Sequence, residues 1–304
     1  MDILITGGNG FVGTNIISNL ILNKPEVSIH VIDNESKCQK LNYSQINYVK
    51  GDIRNKKDLD QFNNIDVIIH LAADTRVIDS INDPYKNFDV NCLGTMTVLE
   101  YSMRKNVKKI IFASTGGAII GNQSPPVTEE TFPRPISPYG ASKLACESYI
   151  HAFSKSYGLD YCSLRFTNIY GPNSLHKESV VAHFIKKVIK NEGITIYGDG
   201  KQTRDYIFVK DIADIVIKSI DSKYNGVYQL GSGVGTSLNE LISHIKQASN
   251  SEIQINYESK RAGEIDDTWA DISKATSSGL IGELTPIQEG IKQTYNWFKI
   301  NKFE

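Results

Sequence analysis

Short apolar runs alternate with helical apolar periodicity through the first half of the chain. Each run is continuous and is bounded by turn residues, which is typical of strands buried on both faces of a parallel sheet. The predicted strands span residues 3–5, 27–32, 46–49, 66–70, 109–113 and 161–166. Helical patterns lie between them, the longest in about 85–105 and 139–157. The alternation predicts an α/β fold, with a doubly wound parallel sheet covered by helices on both faces.

The pattern is less regular after Phe166, where short strands, turns and helices continue down to Trp297. No internal repeat or low-complexity linker separates the two halves. We therefore predict a sheet domain in residues 1–168 and a smaller α/β lobe in residues 169–304 that closes over a crevice. This boundary is approximate, and an interleaved arrangement is compatible with the pattern.

The composition limits the classes of molecule that the protein is expected to bind. The chain has 33 basic and 34 acidic side chains, so no net field attracts nucleic acid or a membrane surface. No apolar run approaches the length of a membrane span, and strand residues begin at Ile3, leaving no room for a signal peptide. The four cysteines are scattered and form no C-x-x-C pair, which favours reduced thiols over a metal site or disulfides. We expect a cytoplasmic protein that holds no metal.

A glycine-rich turn follows the first predicted strand and opens a helix, in the order Thr6-Gly7-Gly8-Asn9-Gly10-Phe11-Val12-Gly13. In this context Gly7 permits a tight turn, Gly10 lets the backbone approach a pyrophosphate, and Gly13 allows close helix packing. The helix N-terminus would then face the phosphates with unpaired N–H groups. By itself the G-x-x-G-x-x-G spacing is also compatible with a turn that binds nothing.

Asp33 ends the second predicted strand, twenty residues beyond Gly13. A carboxylate there can accept hydrogen bonds from both ribose hydroxyls of an adenosine and would repel a 2′-phosphate, which favours NAD over NADP. The alternative is that Asp33-Asn34 forms an ordinary turn at the end of a strand.

Several polar residues follow other predicted strands. Asp33, Asp52, Ala72 and Thr115 all fall at carboxyl ends, where open α/β sheets bind their ligands. His70 also ends a strand, and we expect its ring to be satisfied by the backbone and assign it no chemistry.

Ser137-Pro138 predicts the start of the helix that carries Tyr139 and Lys143. Four residues apart, the phenol and the ammonium share one helix face. A free phenol ionises near pH ~10, but an adjacent cation and a bound nicotinamidium would favour the phenolate. The pair can thus supply a general base near neutral pH. Without further evidence, a surface pair on a helix remains the alternative.

Together these motifs resemble those of a known protein family. The glycine turn, Asp33, Gly51-Asp52-Ile53, Leu71-Ala72-Ala73, the Ser/Thr-rich end of the fifth strand and the Tyr139/Lys143 pair occur in the order of the extended short-chain dehydrogenase/reductases. The chain most resembles the nucleotide-sugar 4-epimerases of the UDP-galactose 4-epimerase type, from Ile3 to Trp297. The resemblance implies a Rossmann domain in residues 1–168, a nucleotide-sugar-binding lobe in residues 169–304, and NAD as cofactor. The cofactor contacts it implies are Gly7, Gly10, Phe11, Val12, Gly13, Asp33, Asn34, Asp52, Ile53, Leu71, Ala72, Ala73, Asn91, Tyr139, Lys143 and Phe166.

The resemblance also implies the catalytic set Thr115, Tyr139 and Lys143, with Ser114 as the alternative to Thr115. Related dehydratases carry Asp-Glu, and decarboxylases a Glu, just after this hydroxyl, where the present chain has Gly116-Gly117. The family usually has Tyr where Ile120 stands, which puts one minor pocket contact in doubt. The substrate contacts implied are Thr115, Tyr139, Asn168, Val180, Arg204, Arg261, Glu264 and Thr268.

Individual roles follow from the same resemblance. Asn168, Arg204 and Arg261 would hold a UDP diphosphate, since Arg forks bind phosphate oxygens in pairs, although surface pairing of the arginines is the alternative. Glu264 would bind the nucleotide ribose. Thr268 stands where a large Tyr excludes N-acetyl groups, so its small size implies room for them, unless Thr268 serves local packing alone.

The implied reaction is epimerisation. Tyr139 would take the proton of the sugar 4-hydroxyl, carbon 4 would give a hydride to NAD⁺, and the hydride would return to the other face after the 4-keto sugar turns. A dehydratase or reductase of the same superfamily, or a non-catalytic NAD-binding regulator, are the alternatives. A homodimer through the helices near 85–105 and 139–157 is expected from the resemblance.

Overall fold

The computed structural model describes residues 1–36, 44–260 and 267–301, so Arg261 and Glu264 lie outside the described residues. Its strands are Asp2–Thr6 (β1), Ser28–Asp33 (β2), Ile46–Lys50 (β3), Val67–His70 (β4), Lys109–Thr115 (β5), Asp160–Phe166 (β6), Asn168–Tyr170 (β7), Ile194–Tyr197 (β8), Thr203–Arg204 (β9), Tyr206–Phe208 (β10), Gly226–Leu230 (β11), Thr236–Ser237 (β12), Ile255–Glu258 (β13) and Asp267–Thr268 (β14). Its helices are Phe11–Asn23 (α1), Lys56–Leu59 (α2), Val77–Asn82 (α3), Pro84–Phe88 (α4), Gly94–Arg104 (α5), Gly116–Ile120 (α6), Pro138–Tyr157 (α7), Val180–Ile189 (α8), Val209–Lys218 (α9), Leu238–Ser249 (α10), Ser273–Ser277 (α11) and Ile287–Ile300 (α12), with a π-helical turn at Asp89–Leu93.

Seven strands form one sheet in the order β11-β6-β5-β4-β1-β2-β3, and every neighbouring pair is parallel. The strand order reverses between β1 and β4, which is the switch point where doubly wound sheets bind ligands. The predicted fold class is therefore confirmed. Strand β11 comes from beyond residue 168, so the main sheet draws on both sides of the predicted boundary.

Alternate residues of β1 enter two different cores. Ile3 and Ile5 pack with residues of α1 and α9 on one face, and Leu4 packs with residues of α5 and α7 on the other. Each fully buried side chain of this size contributes about 1.5–3 kcal/mol of hydrophobic stabilisation, which fixes the sheet between its helix layers. A third core joins α8, α10 and α12 to β8 and β10 beside the carboxyl edge.

Helix α7 begins and ends where the sequence predicts. The Ser137 hydroxyl accepts the N–H of Gly140, and Gly158 closes the helix at φ +73°. The helix predicted for 85–105 is instead interrupted by the π-helical turn, which places the side chain of Asn91 inside the protein. Among the described residues, no helix is long and apolar enough to cross a membrane.

Candidate active site

The glycine turn forms a cradle at the switch point. Gly7 has φ +70°, and a methyl group built on it would lie 2.7 Å from the backbone nitrogen of Ala72. A methyl group on Gly13 would lie 2.6 Å from the carbonyl oxygen of Gly8. No side chain caps α1 at Gly10, and its first turn has no acidic residue, so its N–H groups can face an anion. These residues fit the pyrophosphate of a dinucleotide.

Asp33 is hydrogen-bonded directly to the backbone of the glycine turn. Its Oδ2 accepts the N–H of Asn9 at 3.0 Å, and its Oδ1 accepts the N–H of Glu35 at 2.8 Å. Burial raises the pKa of Asp33. Tyr48 completes the group, because its hydroxyl donates to Glu35 Oε1 and accepts from Asn9 Nδ2, both at 2.9 Å. Glu35, which the sequence analysis did not single out, also pairs with Lys50 at 2.6 Å, so its charge is largely balanced.

Asp52 has a partner that was not predicted. Arg54 donates to it through Nε (2.9 Å) and Nη2 (2.6 Å) and also pairs with Asp89. The Arg54 hydrogen bond is the main reason why the pKa of Asp52 lies below its ordinary value. Ile53 is buried, and its side chain packs so closely against Gly94 that a methyl group on this glycine would clash with it. The guanidinium thus holds the loop after β3 against the π-helical turn.

The loop after β4 is fixed to β1 by a hydroxyl. The N–H groups of Leu71 and Ala72 both donate to Thr6 Oγ1 at 3.2 Å. The prediction that the backbone satisfies His70 is wrong, because its ring lies between the hydroxyls of Thr6 and Thr95. Both partners come from other elements, so the local sequence carried no signal for them.

Asn91 joins the same loop to helix α7. Its Oδ1 accepts the N–H of Asp74 at 2.8 Å, and its Nδ2 donates to the carbonyl of Asp74 and to Ser142 Oγ, both at 3.0 Å. The hydroxyl of Ser142 also bonds the carbonyl of Tyr139 at 2.9 Å. Asn91 therefore positions the loop and the start of α7, and its predicted contact with the cofactor stays a prediction.

Tyr139 and Thr115 come together at the carboxyl edge. Thr115 is the last residue of β5, and its side chain hydrogen-bonds the phenol of Tyr139. Lys143 is buried, with Nζ donating to the carbonyl of Ala113 at 2.9 Å and lying 4.6 Å from the centre of the Phe112 ring. Tyr139 and Lys143 thus both bond residues at the end of β5, at the same carboxyl edge of the sheet as the glycine turn after β1.

Burial acts on both of these ionisable side chains. It lowers the pKa of Lys143 to about 8, because the charged ammonium loses its hydration. It raises the pKa of Tyr139, which the Thr115 hydrogen bond offsets only in part. The direction for Tyr139 is opposite to the one predicted, since desolvation of the phenolate outweighs its neighbours in the protein alone.

Three of the predicted substrate residues, Asn168, Val180 and Arg204, line a second feature, a cavity of about 280 Å³. Its lining includes Asn168, Val180, Gln202, Arg204 and Tyr206. The Tyr206 hydroxyl is buried and has no partner among residues 1–36, 44–260 and 267–301, so a ligand could supply one.

Thr268 connects this cavity to the residues after β5. It pairs with Arg204 between β14 and β9, and a methyl group on Gly117 would lie 4.0 Å from Thr268 Oγ1. Phe166 pairs with Thr115 between β6 and β5, so it lies at the same edge of the sheet.

With the Tyr139 phenol held by Thr115 on the sheet that carries the glycine cradle, the fold and the site are those of a dinucleotide-dependent enzyme of the short-chain dehydrogenase/reductase class. The chain belongs to the NAD-dependent epimerase/dehydratase family, whose model matches residues 3–231.

Relatives and solved structures agree over nearly the whole chain. A putative UDP-glucose 4-epimerase of Methanocaldococcus jannaschii is 39% identical over 306 residues, covering 98% of this chain and 99% of the relative. The crystal structure of UDP-glucose 4-epimerase from Thermotoga maritima with UDP-glucose matches with a TM-score of 0.93 at 32% identity, covering 99% of each chain. The UDP-N-acetylglucosamine 4-epimerase of Methanobrevibacter ruminantium M1, in complex with UDP-N-acetylmuramic acid, matches with the same TM-score, identity and coverage.

Proposed function

We propose that this protein is an NAD-dependent 4-epimerase of a UDP-sugar, acting on the UDP-glucose/UDP-galactose pair, the UDP-N-acetylglucosamine/UDP-N-acetylgalactosamine pair, or both. The observation that carries the proposal is the Tyr139–Thr115 hydrogen bond at the same edge of the sheet as the cradle, in a chain whose relatives are UDP-sugar 4-epimerases. NAD, when bound by the cradle and by the contacts assigned above, supplies the acceptor and donor of the hydride at carbon 4.

The chain's own residues handle the proton. Tyr139 accepts the proton of the sugar 4-hydroxyl, and Thr115 holds the same sugar oxygen through its hydroxyl. With its pKa at about 8, Lys143 is mostly protonated at neutral pH and supplies a buried positive charge near the developing phenolate. Because the protein alone raises the pKa of Tyr139, the positive charge that NAD⁺ would bring to the site would add to that of Lys143 in favouring the phenolate.

Arg204 and Asn168 hold the diphosphate from the 280 Å³ cavity, with Val180 beside them. Anchoring the substrate at this remote group leaves the sugar free to turn between the two half-reactions, so binding energy is applied away from the reacting carbon. The small side chain of Thr268 leaves room for an N-acetyl group. Arg261 and Glu264 keep their predicted roles at the second phosphate and the ribose.

A dehydratase is disfavoured by the packing of Gly116. A methyl group there would lie 2.7 Å from Oε1 of the buried Gln229, so a larger side chain does not fit without rearrangement. The carboxylates that dehydratases place after the strand-end hydroxyl therefore have no counterpart at this position.

Incubation with UDP-galactose and UDP-N-acetylgalactosamine, followed by NMR of the products, tests the proposal. We expect the 4-epimer of at least one substrate without change in the absorbance of reduced nicotinamide. A net oxidoreductase would change that absorbance, and a regulator would leave both substrates intact.

We further propose a cytoplasmic homodimer. The three cysteines that the structure describes are free and buried, as is common where thiols stay reduced. Helices α3, α4 and α7 contact each other and expose an apolar surface. Its members are Val77, Ile78, Ile81, Tyr85, Phe88 and Tyr149. A surface of this kind usually marks an interface.

A further inference from the structure

His70 lies in the interior of the sheet, at the end of β4 and next to the cofactor cradle. Only 1% of its surface is exposed. Its Nδ1 lies 2.7 Å from Thr6 Oγ1, and its Nε2 lies 3.0 Å from Thr95 Oγ1. Burial, and to a lesser extent the charge of Lys143, lower the pKa of His70 to about 3, so the ring is neutral at physiological pH.

The hydrogen bonds of Thr6 decide the tautomer of this ring. Thr6 Oγ1 accepts the N–H of Ala72 at 3.2 Å and shares the N–H of Leu71 with the backbone carbonyl of Thr6, at 3.2 and 3.1 Å, so both of its lone pairs face donors. Its own hydrogen must therefore be donated to His70 Nδ1, because that nitrogen is its nearest partner. The ring hydrogen is then on Nε2, from which it is donated to Thr95.

This arrangement reaches the cradle on one side and the catalytic helix on the other. Ala72 lies so close to Gly7 that no methyl group fits between them. The Thr6 hydroxyl holds the N–H of Ala72 at this spacing, beside the backbone bond from Leu71 to the Thr6 carbonyl. On the other side Thr95 Oγ1 accepts from Cys146 Sγ at 3.3 Å, less than one helical turn beyond Lys143.

We propose that His70 is a positioning residue for the cofactor: as a neutral ring protonated on Nε2, it orients the Thr6 hydroxyl so that the Leu71-Ala72 backbone stays at the spacing that NAD requires. This inference rests on the proposed function only in that the cradle binds NAD. His70 itself touches neither cofactor nor substrate.

Three substitutions separate the two bonds of the ring. His70→Asn keeps an acceptor near the position of Nδ1, His70→Gln keeps a donor near that of Nε2, and His70→Phe keeps neither. We measure the NAD content of each purified protein and, after removal of NAD, its dissociation constant by calorimetry. His70→Phe should weaken NAD binding about tenfold, as expected when a buried hydroxyl loses its partner. His70→Asn should remain within about threefold of wild type, and His70→Gln should resemble His70→Phe.

Two further measurements make the test specific. Thr6→Val should weaken NAD binding as His70→Phe does. The double variant should bind NAD no more weakly than the weaker-binding single variant, because both substitutions remove the same Thr6–His70 hydrogen bond. The matched control is Thr294→Val, which removes another fully buried hydroxyl, on α12, and should leave NAD affinity unchanged.

Affinity for UDP, measured separately, should be unchanged in every variant. NAD binding within about twofold of wild type in a folded His70→Phe protein would overturn the proposal, as would equal losses in His70→Asn and His70→Gln. If His70→Phe does not fold, the Asn and Gln variants decide. Because NAD and UDP affinities need no turnover, a failure of the epimerase assignment leaves this result interpretable.

Discussion

Tyr139 and Lys143 sit in surroundings that oppose the charged form of both side chains. The ammonium is 3% exposed, and its direct partners are the carbonyl of Ala113 and the face of Phe112. The phenol has Thr115 as its hydrogen-bonding neighbour. A base that stays protonated until its ligands arrive is protected from reacting without substrate.

Replacing Tyr139 with Phe should reduce turnover at least a hundredfold, because general-base catalysis by a positioned side chain contributes ~10²–10⁴ in rate. The affinity for UDP should be unchanged, since the phenol does not hold the diphosphate. Tyr157→Phe, at the exposed end of the same helix, is the matched control. Activity above about a tenth of wild type would contradict the assigned base.

Lys143 should give folding stability a characteristic pH dependence. Its pKa is about 8 in the folded protein, compared with ~10.4 in an unfolded chain. Between these values the unfolded chain binds more protons, so the free energy of unfolding rises with pH, by roughly 3 kcal/mol over the whole interval. Lys143→Met should lose this rise.

Urea unfolding of the cofactor-free protein at pH 7.5 and 9.5 provides the measurement. The wild type should gain stability relative to Lys143→Met at the higher pH. Lys155→Met, which changes an exposed lysine of α7, should follow the wild type. Parallel pH profiles for wild type and Lys143→Met would show that the buried ammonium is not desolvated as described.

At the scale of helices and strands, the sequence predicted those features that are determined by residues close together in the chain. Both ends of α7 were predicted, because Ser137 and Gly158 act on their own helix turns. The π-helical turn was not predicted, since it accompanies bonds from Asn91 to a loop seventeen residues away. The partners of His70, and those of β11 in the sheet, are likewise set by tertiary contacts that no local pattern records.

The same distinction applies to the proposed substrate lobe, where the buried Asp205 joins several segments. Its carboxylate accepts the N–H groups of Ser232 (2.6 Å), Gly233 (3.3 Å) and Ala270 (3.2 Å) and the hydroxyl of Ser232 (2.8 Å). Its carbonyl accepts the backbone N–H and Nδ2 of Asn168 at 2.9 and 3.1 Å. The carboxylate thus holds the segments at 232–233 and 270 around Asp205, and its backbone carbonyl holds the proposed diphosphate contact Asn168.

Asp205→Asn should therefore weaken UDP binding about tenfold, because an amide N–H would face N–H donors that now have an acceptor. NAD affinity should stay within about twofold of wild type, since the cradle lies on the seven-stranded sheet, to which neither β9 nor β10 on either side of Asp205 belongs. Calorimetry with each ligand separates the effects, and Asp214→Asn, an exposed carboxylate on α9, is the control. Equal losses for both ligands would indicate general unfolding instead.

At the scale of the whole molecule, the apolar surface of α3, α4 and α7 is the feature that a monomer leaves unexplained. Ile78 is 69% exposed and Tyr85 is 87% exposed. Since α7 also carries Tyr139 and Lys143, contact between two copies would brace the catalytic helix from outside.

Light scattering should give a mass of twice 33.9 kDa for the wild type. Ile78→Glu should shift the protein toward the monomer, because a carboxylate would be buried without a partner. Leu22→Glu places the same charge at a 78% exposed site on α1 and should leave the mass unchanged. A wild-type protein that remains monomeric at assay concentration would contradict the dimer.

Strand β11 limits where this enzyme can be divided into separate fragments. Residues 226–230 complete the sheet along β6, whose side chains are almost all buried in the intact protein. In a fragment that ends at residue 168, β6 would be an exposed apolar edge strand that can pair with strands of other chains. Transferring the first 168 residues, the proposed cofactor-binding half, to another protein would therefore require including β11 as well, so the chain cannot be divided cleanly at residue 168.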